Sequence, residues 1–266
     1  MSFRIGTVPY LVAKPLSWGL EDHPQVHLVE APPADLAAGL KSGELDVALA
    51  SSILALEDPE LHLWQEGPVI AGRGPIRSVL LLLRPGLQDP SEIRSWTPDP
   101  HSRTGQGMAR ILLHHHLGIR PQEVPEKPGE NPFDSGVDAV QRIGDPALEA
   151  VRNRPNWKIL DLGETWRDRN RLPFVYAGWI GRKGFEPSAC ASILRAAARE
   201  GLANRDRLVD LGRKERGYSR SFLQRYLFED LCYQLPAREV RAALQRFREL
   251  LTAIGQIPAS QTPGSV

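Results

Sequence analysis

Two apolar stretches, nearly a hundred residues apart, constrain the fold of this chain most strongly. Ser78 to Leu83 reads SVLLLL and Pro173 to Ile180 reads PFVYAGWI, and each is followed directly by a basic, glycine-containing turn. Short apolar runs that end in turn signals are typical of buried strands. The pair indicates a chain that leaves one α/β lobe and later returns to it, with a ligand cleft between the lobes.

The first part of the chain alternates between strand and helix patterns. Phe3 to Val8 predicts a strand, Pro33 to Ser42 predicts a helix, and Leu45 to Ala50 predicts another strand, which runs into Ser51 and Ser52. Such alternation favours a mainly parallel sheet whose ligand crevice lies outside the carboxyl ends of its strands. The loops at 9–14 and 51–52 are therefore expected to open into that crevice.

The same order of strand, polar loop and helix returns after the first apolar run. Trp96 to Pro98 predicts a short strand, and Met108 to Leu117 predicts the helix that follows it. We expect an inserted lobe over 84–177, and a discontinuous lobe that joins 1–83 to 178–266.

Apolar residues at helical spacing continue through the last third of the chain. They predict three helices, over 189–202, 218–233 and 237–254. The polar remainder, 255–266, is expected to be disordered.

Composition excludes several classes of protein. The chain has 266 residues and a formal net charge of +1, so no overall field attracts nucleic acid or an anionic membrane. The first residues lack the apolar core of a secretory signal, and no run approaches the length of a membrane span. Cys190 and Cys232 lie in segments with a helical pattern and lack metal-ligand spacing, which favours reduced packing residues. We expect a cytoplasmic protein without a metal or cofactor.

Several blocks, in this order, carry a resemblance to a known family: RIGTVPYLVAKPL, GELDVALASS, GPIRSVLL, DAVQRIGDPAL, DLGETWRD and RLPFVYAGWIGRK. The chain resembles the chorismate dehydratases of the futalosine route to menaquinone. The resemblance implies a two-lobe fold like that of type II periplasmic binding proteins, here in the cytoplasm. It also implies an enzyme that removes water from chorismate to leave 3-[(1-carboxyvinyl)oxy]benzoate.

A substrate with two carboxylates needs hydrogen-bond donors, and two segments offer them. Ser51 and Ser52 follow a predicted strand, where one of them is expected to bind a carboxylate or simply to cap a helix. The resemblance favours ligand contact for Ser52. Ser102, Arg103 and Thr104 precede the predicted helix at Met108, and they suit either an anion site or an ordinary helix cap.

The resemblance implies further binding residues. Ser78 matches the serine of the GPxxS block, and its hydroxyl is expected in the cleft, whereas Arg77 is expected to form a solvated ion pair. Asp145 follows a predicted strand and either lies at the cleft wall or caps the next helix.

The first loop departs from the family pattern at one position. Members of the family have an asparagine two residues after the loop's aromatic residue, which here is Tyr10, and this chain has Val12 instead. Valine offers neither donor nor acceptor. Two alternatives stay open: Lys14 substitutes as a cation near the same carboxylate, or the chain has lost or changed the activity.

The catalytic base stays open at the level of sequence. His101 is the histidine nearest to the predicted donors, and a carboxylate of the substrate itself is the alternative acceptor. Three consecutive histidines, 114–116, point in different directions around a helix and do not form a metal site. Phe174, Tyr176 and Trp179 are expected to be core residues.

Other interpretations share the fold. A solute-binding protein, a carboxylate-sensing domain without catalysis, and an enzyme like dihydroxynaphthoate synthase each fit the two-lobe pattern. The N-terminal block typical of that synthase is absent from this sequence. Whether the chain forms a homodimer also stays open.

Overall fold

The computed structural model describes residues 2–183 and 187–259, which form two β-sheets covered by helices. The strands are β1 (Phe3–Thr7), β2 (Val26–Glu30), β3 (Val47–Ser51), β4 (Leu61–Leu63), β5 (Val69–Gly72), β6 (Val79–Leu83), β7 (Ser95–Thr97), β8 (Gln122–Glu123), β9 (Ala139–Ile143), β10 (Lys158–Asp161), β11 (Phe174–Arg182) and β12 (Leu231–Cys232). The helices are α1 (Lys14–Ser17), α2 (Pro33–Ser42), α3 (Leu54–Glu57), α4 (Arg103–Arg110), α5 (Gly144–Asn153), α6 (Leu162–Asn170), α7 (Ala191–Ala203), α8 (Arg205–Arg216), α9 (Arg220–Arg225) and α10 (Ala237–Ala253).

The first sheet has seven strands in the order β12-β5-β11-β3-β1-β2, with β4 paired to β11. β1 is parallel to β2 and β3, so the carboxyl ends of these three strands lie along one edge. β11 is antiparallel to β3, β4 and β5. The prediction of a mainly parallel sheet is therefore wrong, because the returning strand runs against its neighbours.

The second sheet has five strands in the order β10-β6-β9-β7-β8. β7 is parallel to β8 and β9, whereas β6 is antiparallel to both β9 and β10. The first apolar run thus belongs to this sheet and not to the lobe that the sequence assigned to 1–83. We propose that the second lobe begins near Val79 and ends before Phe174.

Two of the predicted helices are interrupted in the last part of their length. Residues Ile111–His116 continue α4 as a π-helix, and Tyr226–Asp230 continue α9 in the same way. The chain then enters β12, so the prediction of one helix over 218–233 is wrong, and Cys232 lies in a strand. Residues Leu231 and Cys232 form a strand because they pair with β5, and a local helical pattern does not reveal a contact between segments so far apart in sequence.

The core joins the helices to both sheets. Trp96, Trp179 and Phe247 are among the largest fully buried side chains. Close backbone contact also holds α7 against α1, since a Cβ on Gly201 would lie 2.2 Å from the carbonyl oxygen of Pro15. Ile257 is 4% exposed, so the predicted disorder of the tail is wrong at this residue, and residues 260–266 lie outside the described residues.

The described helices include none that combines the length and the apolar character needed to cross a bilayer.

Candidate functional site

A cavity of about 120 Å³ lies between the two sheets, next to the carboxyl ends of β1 and β3. Its apolar lining residues are Val8, Val12, Pro33, Leu49, Ala50, Ile70, Ile76, Val79, Ile143, Ala177 and Leu231. Its polar lining residues are Tyr10, Ser51, Ser78, His101, Ser102, Thr104, Tyr176 and Tyr226, and Gly105 and Gly144 complete the wall. Among the described residues, no lysine, arginine, aspartate or glutamate lines it. The cavity therefore offers a small molecule an apolar surface with neutral donors.

A pair of hydroxyls at the cavity wall links β3 to α4, which packs on the second sheet, so it joins the two sheets through that helix. Ser51 is the last residue of β3, and its Oγ is hydrogen-bonded to Oγ1 of Thr104 in the first turn of α4. Thr104 is 5% exposed and also accepts a hydrogen bond from the N–H of Ile53 at 3.4 Å. Both residues line the cavity, and ligand contact by their hydroxyls stays a prediction.

Ser102 fixes the start of α4 beside the cavity. Its Oγ accepts the N–H of Gly105 at 3.0 Å, which is the helix cap that the sequence left open. Gly105 has no space for a side chain, because a Cβ there would lie 2.4 Å from Oγ of Ser102 and 2.5 Å from Nε2 of Gln141. Because Ser102, Thr104 and Gly105 line the cavity, the N-terminal end of α4, with its partial positive charge, adjoins it.

A buried carboxylate holds the loop before α4. Asp99 is 3% exposed; it accepts the N–H of His101 at 2.9 Å and the N–H of Ile143, at the end of β9, at 3.0 Å. The loop is therefore tied to the strand from which α5 continues. This places His101 in the cavity lining, although its side chain is otherwise exposed.

Ser78 lies where the chain passes from the first sheet to the second. Its carbonyl oxygen accepts the N–H of Gly144 at 2.8 Å, which sets the start of α5 against it. The preceding residue, Arg77, has a left-handed backbone with φ 64°, and its N–H donates to Asp161 at 2.7 Å. The Arg77 guanidinium pairs with Asp230, so the predicted ion pair is present, but it is half-buried and not solvated, since the Asp230 side chain is only 10% exposed. Ser78 itself is 5% exposed and lines the cavity.

Three tyrosines line the cavity, and two of them were not predicted there. Burial raises the pKa of Tyr10, and the carboxylates of Asp99 and Asp145 raise it further. Burial likewise raises the pKa of Tyr176 and of Tyr226, so all three phenols are neutral donors at physiological pH. Tyr176 was expected in the core, where Phe174 and Trp179 do lie, and Tyr226 had no predicted role.

Two residues that the sequence assigned to the site point elsewhere. Ser52 is fully buried, and its Oγ donates to the carbonyl oxygen of Val175 at 2.6 Å, so its hydroxyl serves the sheet. Lys14 pairs with Glu30 at 2.7 Å on the outer surface. Val12, at the position of the family asparagine, does line the cavity, and the structure brings no cation to it there.

Arg103 and Asp145 also lie outside the cavity lining. The Arg103 guanidinium is ion-paired with Glu57 and has a largely exposed side chain. Asp145 lies in the first turn of α5 without capping it, and pairs with Arg216 at 3.0 Å. Burial raises the pKa of the Asp145 carboxyl, although the Arg216 charge acts in the opposite direction.

The structure does not group three or more potential metal ligands within its described ranges. Burial, with smaller contributions from the neighbouring His115 and two arginines, lowers the pKa of His116 to about 4. The three consecutive histidines lie in the π-helix after α4, and none of them lines the cavity.

Residues 3–253 match the sequence profile of a family described as menaquinone biosynthesis. The chain belongs to the menaquinone biosynthesis family. It is 28% identical over 240 residues to the chorismate dehydratase of Thermus thermophilus, a match that covers 84% of this chain and 86% of that one.

Solved structures show the fold. A protein of Archaeoglobus fulgidus aligns with a TM-score of 0.74 at 17% identity and covers 96% of this chain and 98% of its own. The periplasmic aliphatic sulphonate binding protein of Escherichia coli aligns with a TM-score of 0.68 at 16% identity, over 100% and 94% of the two chains. A Candida albicans protein described as having the generic periplasmic binding protein fold aligns with a TM-score of 0.65 at 13% identity, over 98% and 92%. The predicted α/β fold of the periplasmic-binding-protein type, with a cleft between lobes, is confirmed.

Proposed function

We propose that this chain is a carbon–oxygen lyase, a chorismate dehydratase that removes water from chorismate to leave 3-[(1-carboxyvinyl)oxy]benzoate. The observation that carries the proposal is the match to a chorismate dehydratase over 84% of the chain, together with a cavity at the edge of β1 and β3. Family membership supports a role in the same pathway.

The lining suits a ring with two carboxylates. Aliphatic side chains such as Ile76 and Val79 contact an apolar ring, while Ser51, Ser78 and Thr104 supply hydroxyl donors. The N-terminal ends of α4 and α5 approach the same space and favour negative charge. Recognition of a dianion thus rests on neutral hydroxyls and helix ends, which agrees with a chain of net charge +1.

The reaction needs modest machinery. A proton leaves the ring carbon that bears the ether, the neighbouring carbon–oxygen bond breaks, and the ring becomes aromatic as water departs. Among the described lining residues His101 is the one histidine, and its side chain is largely in solvent. We therefore favour a carboxylate of the substrate as the proton acceptor. His101→Gln is expected to retain most of the turnover, and complete loss of turnover would assign the base to His101 instead.

Turnover is tested directly by incubating the purified protein with chorismate and following the product by chromatography and mass spectrometry. Ser78→Ala is expected to lower kcat/KM, whereas Lys14→Gln, whose ion pair lies outside the cavity, is expected to leave it unchanged. A folded wild-type protein that binds chorismate in calorimetry without converting it would identify a sensing or binding protein and contradict the proposal.

Val12 is tested in the same assay. Because it lines the cavity, Val12→Asn adds a donor and an acceptor where the family pattern has them. An increase in kcat/KM would show that the valine at position 12 limits the activity of the wild-type protein. No change would show that the remaining hydroxyls suffice.

A further inference from the structure

Tyr226 reaches the cavity from the C-terminal helices. It is the first residue of the π-helical turn that follows α9, and it is 1% exposed. Its ring stacks on Phe222 with centroids 5.8 Å apart and an interplanar angle of 19°. The ring is thus held rigidly while the residue lines the cavity beside Ser78.

The hydroxyl of Tyr226 is buried beside the Ser78 hydroxyl, and among the described residues it makes no hydrogen bond of good geometry. Burial raises its pKa, and the nearby Ser78 hydroxyl offsets part of that rise, so the phenol keeps its proton. A buried donor without an acceptor destabilises the native state. A ligand oxygen in the cavity would remove that cost.

Two other buried phenols lack a partner, and neither is placed in the same way. The Tyr176 hydroxyl is directed towards α6, since a Cβ on Gly163 would lie 2.5 Å from it. Tyr233 is 4% exposed and its hydroxyl is also unpartnered, but it does not line the cavity. Of these three phenols, Tyr176 and Tyr226 line the cavity, and Tyr226 is the one beside the Ser78 hydroxyl.

We propose that the Tyr226 hydroxyl donates a hydrogen bond to a hydroxyl oxygen on the ring of the bound ligand. If the proposed function holds, on which this second step rests, that oxygen is the one that leaves. The carbon–oxygen electron pair moves onto the oxygen, which departs as water with the proton lost by the ring. The phenol stabilises the developing charge and is unchanged at the end.

The ligand contact is tested without relying on turnover. Calorimetry measures the affinity of 4-hydroxybenzoate and of benzoate, which differ in one hydroxyl, for the wild-type protein, Tyr226→Phe and Tyr233→Phe. In Tyr226→Phe the preference for the hydroxylated compound is expected to fall about fivefold, the size of one net hydrogen bond. Tyr233→Phe removes an equally buried hydroxyl outside the lining, and its preference is expected to match the wild type.

A preference that is the same in all three proteins would overturn the inference, as would failure of the folded wild type to bind 4-hydroxybenzoate. Tyr226→Phe removes a single oxygen, and circular dichroism with thermal unfolding verifies that the variant is folded.

Turnover of chorismate separates this inference from the proposed function. Tyr226→Phe is expected to lower kcat at least tenfold and to raise KM by no more than about fivefold, the size of the lost ground-state hydrogen bond. A rise in KM with kcat unchanged would contradict the role at the departing oxygen. If the wild type shows no turnover but the hydroxyl preference depends on Tyr226, the proposed function fails and the ligand contact stands.

Discussion

Replacement of Thr104 with valine removes one hydroxyl from the pair that joins the two sheets. Valine has nearly the same shape, so the change leaves no void, and the main loss is the hydrogen bond to Ser51. A neutral hydrogen bond contributes about 1 kcal/mol to the free energy of unfolding. In a chain of this size that corresponds to a fall in Tm of about 2–4 °C.

The bond itself is isolated by a double-mutant cycle. Thr104→Val, Ser51→Ala and the double variant are compared by urea unfolding, and we expect a coupling energy of about 1 kcal/mol. Thr165→Val is the matched control, since its hydroxyl donates to the carbonyl oxygen of Asp161 at 3.0 Å and does not line the cavity. The changes in the free energy of unfolding caused by Thr165→Val and Ser51→Ala should therefore add up in the double variant.

The same variants are assayed with chorismate. Both residues line the cavity, so each single substitution should lower kcat/KM, while Thr165→Val should not. Strictly additive unfolding energies for Ser51 and Thr104 would refute the bridge between the sheets.

Three further perturbations test packing and charge. Gly201→Ala places a methyl group 2.2 Å from the carbonyl oxygen of Pro15 and should destabilise the protein by about 3 kcal/mol in urea unfolding; an unchanged midpoint would contradict this close contact. Burial raises the pKa of Asp145 even beside Arg216, so the ionised carboxylate lowers the stability of the folded protein at neutral pH. Asp145→Asn should therefore be at least as stable as wild type in urea unfolding at pH 7. Below about pH 4 the carboxyl is protonated in both the folded and the unfolded state, and the difference between the two proteins should vanish. Burial lowers the pKa of His116 to about 4, so the free energy of unfolding of the wild type should fall as the pH drops from about 6.5 towards 4. His116→Gln should lose less stability over that range. Equal losses of stability in the two proteins in acid unfolding would contradict the prediction.

Local signals explain which elements were predicted closely. The helix expected over Pro33 to Ser42 is found with those bounds, because proline favours its first turn and Gly43, with φ 80°, ends it. The helix cap at Ser102 was predictable for the same reason, since a cap is encoded within a few residues of the helix that it serves, whereas ligand contact by Ser102 and Thr104 stays a prediction.

Pairing between distant segments explains what was missed. Ser51 and Ser52 are adjacent and equivalent in sequence, and the pairing of β3 with β11 decides which of them faces the cavity. Tyr226 lies in a regular apolar stripe that predicts one continuous helix. The π-helical turn and the β12 pairing that bring it to the cavity depend on β5, far away in the sequence.

The second sheet is made entirely from one continuous stretch of chain, and its first and last strands are neighbours. β6 and β10 pair antiparallel, with Leu80 opposite Asp161, so the polypeptide arrives in and departs from this sheet at adjacent positions. A chimera that exchanges this whole sheet between relatives therefore needs only two splice points, set side by side. The half of the cavity contributed by Thr104 and Ser102 can thus be swapped as a block, while Tyr226 and Ser51 stay with the recipient.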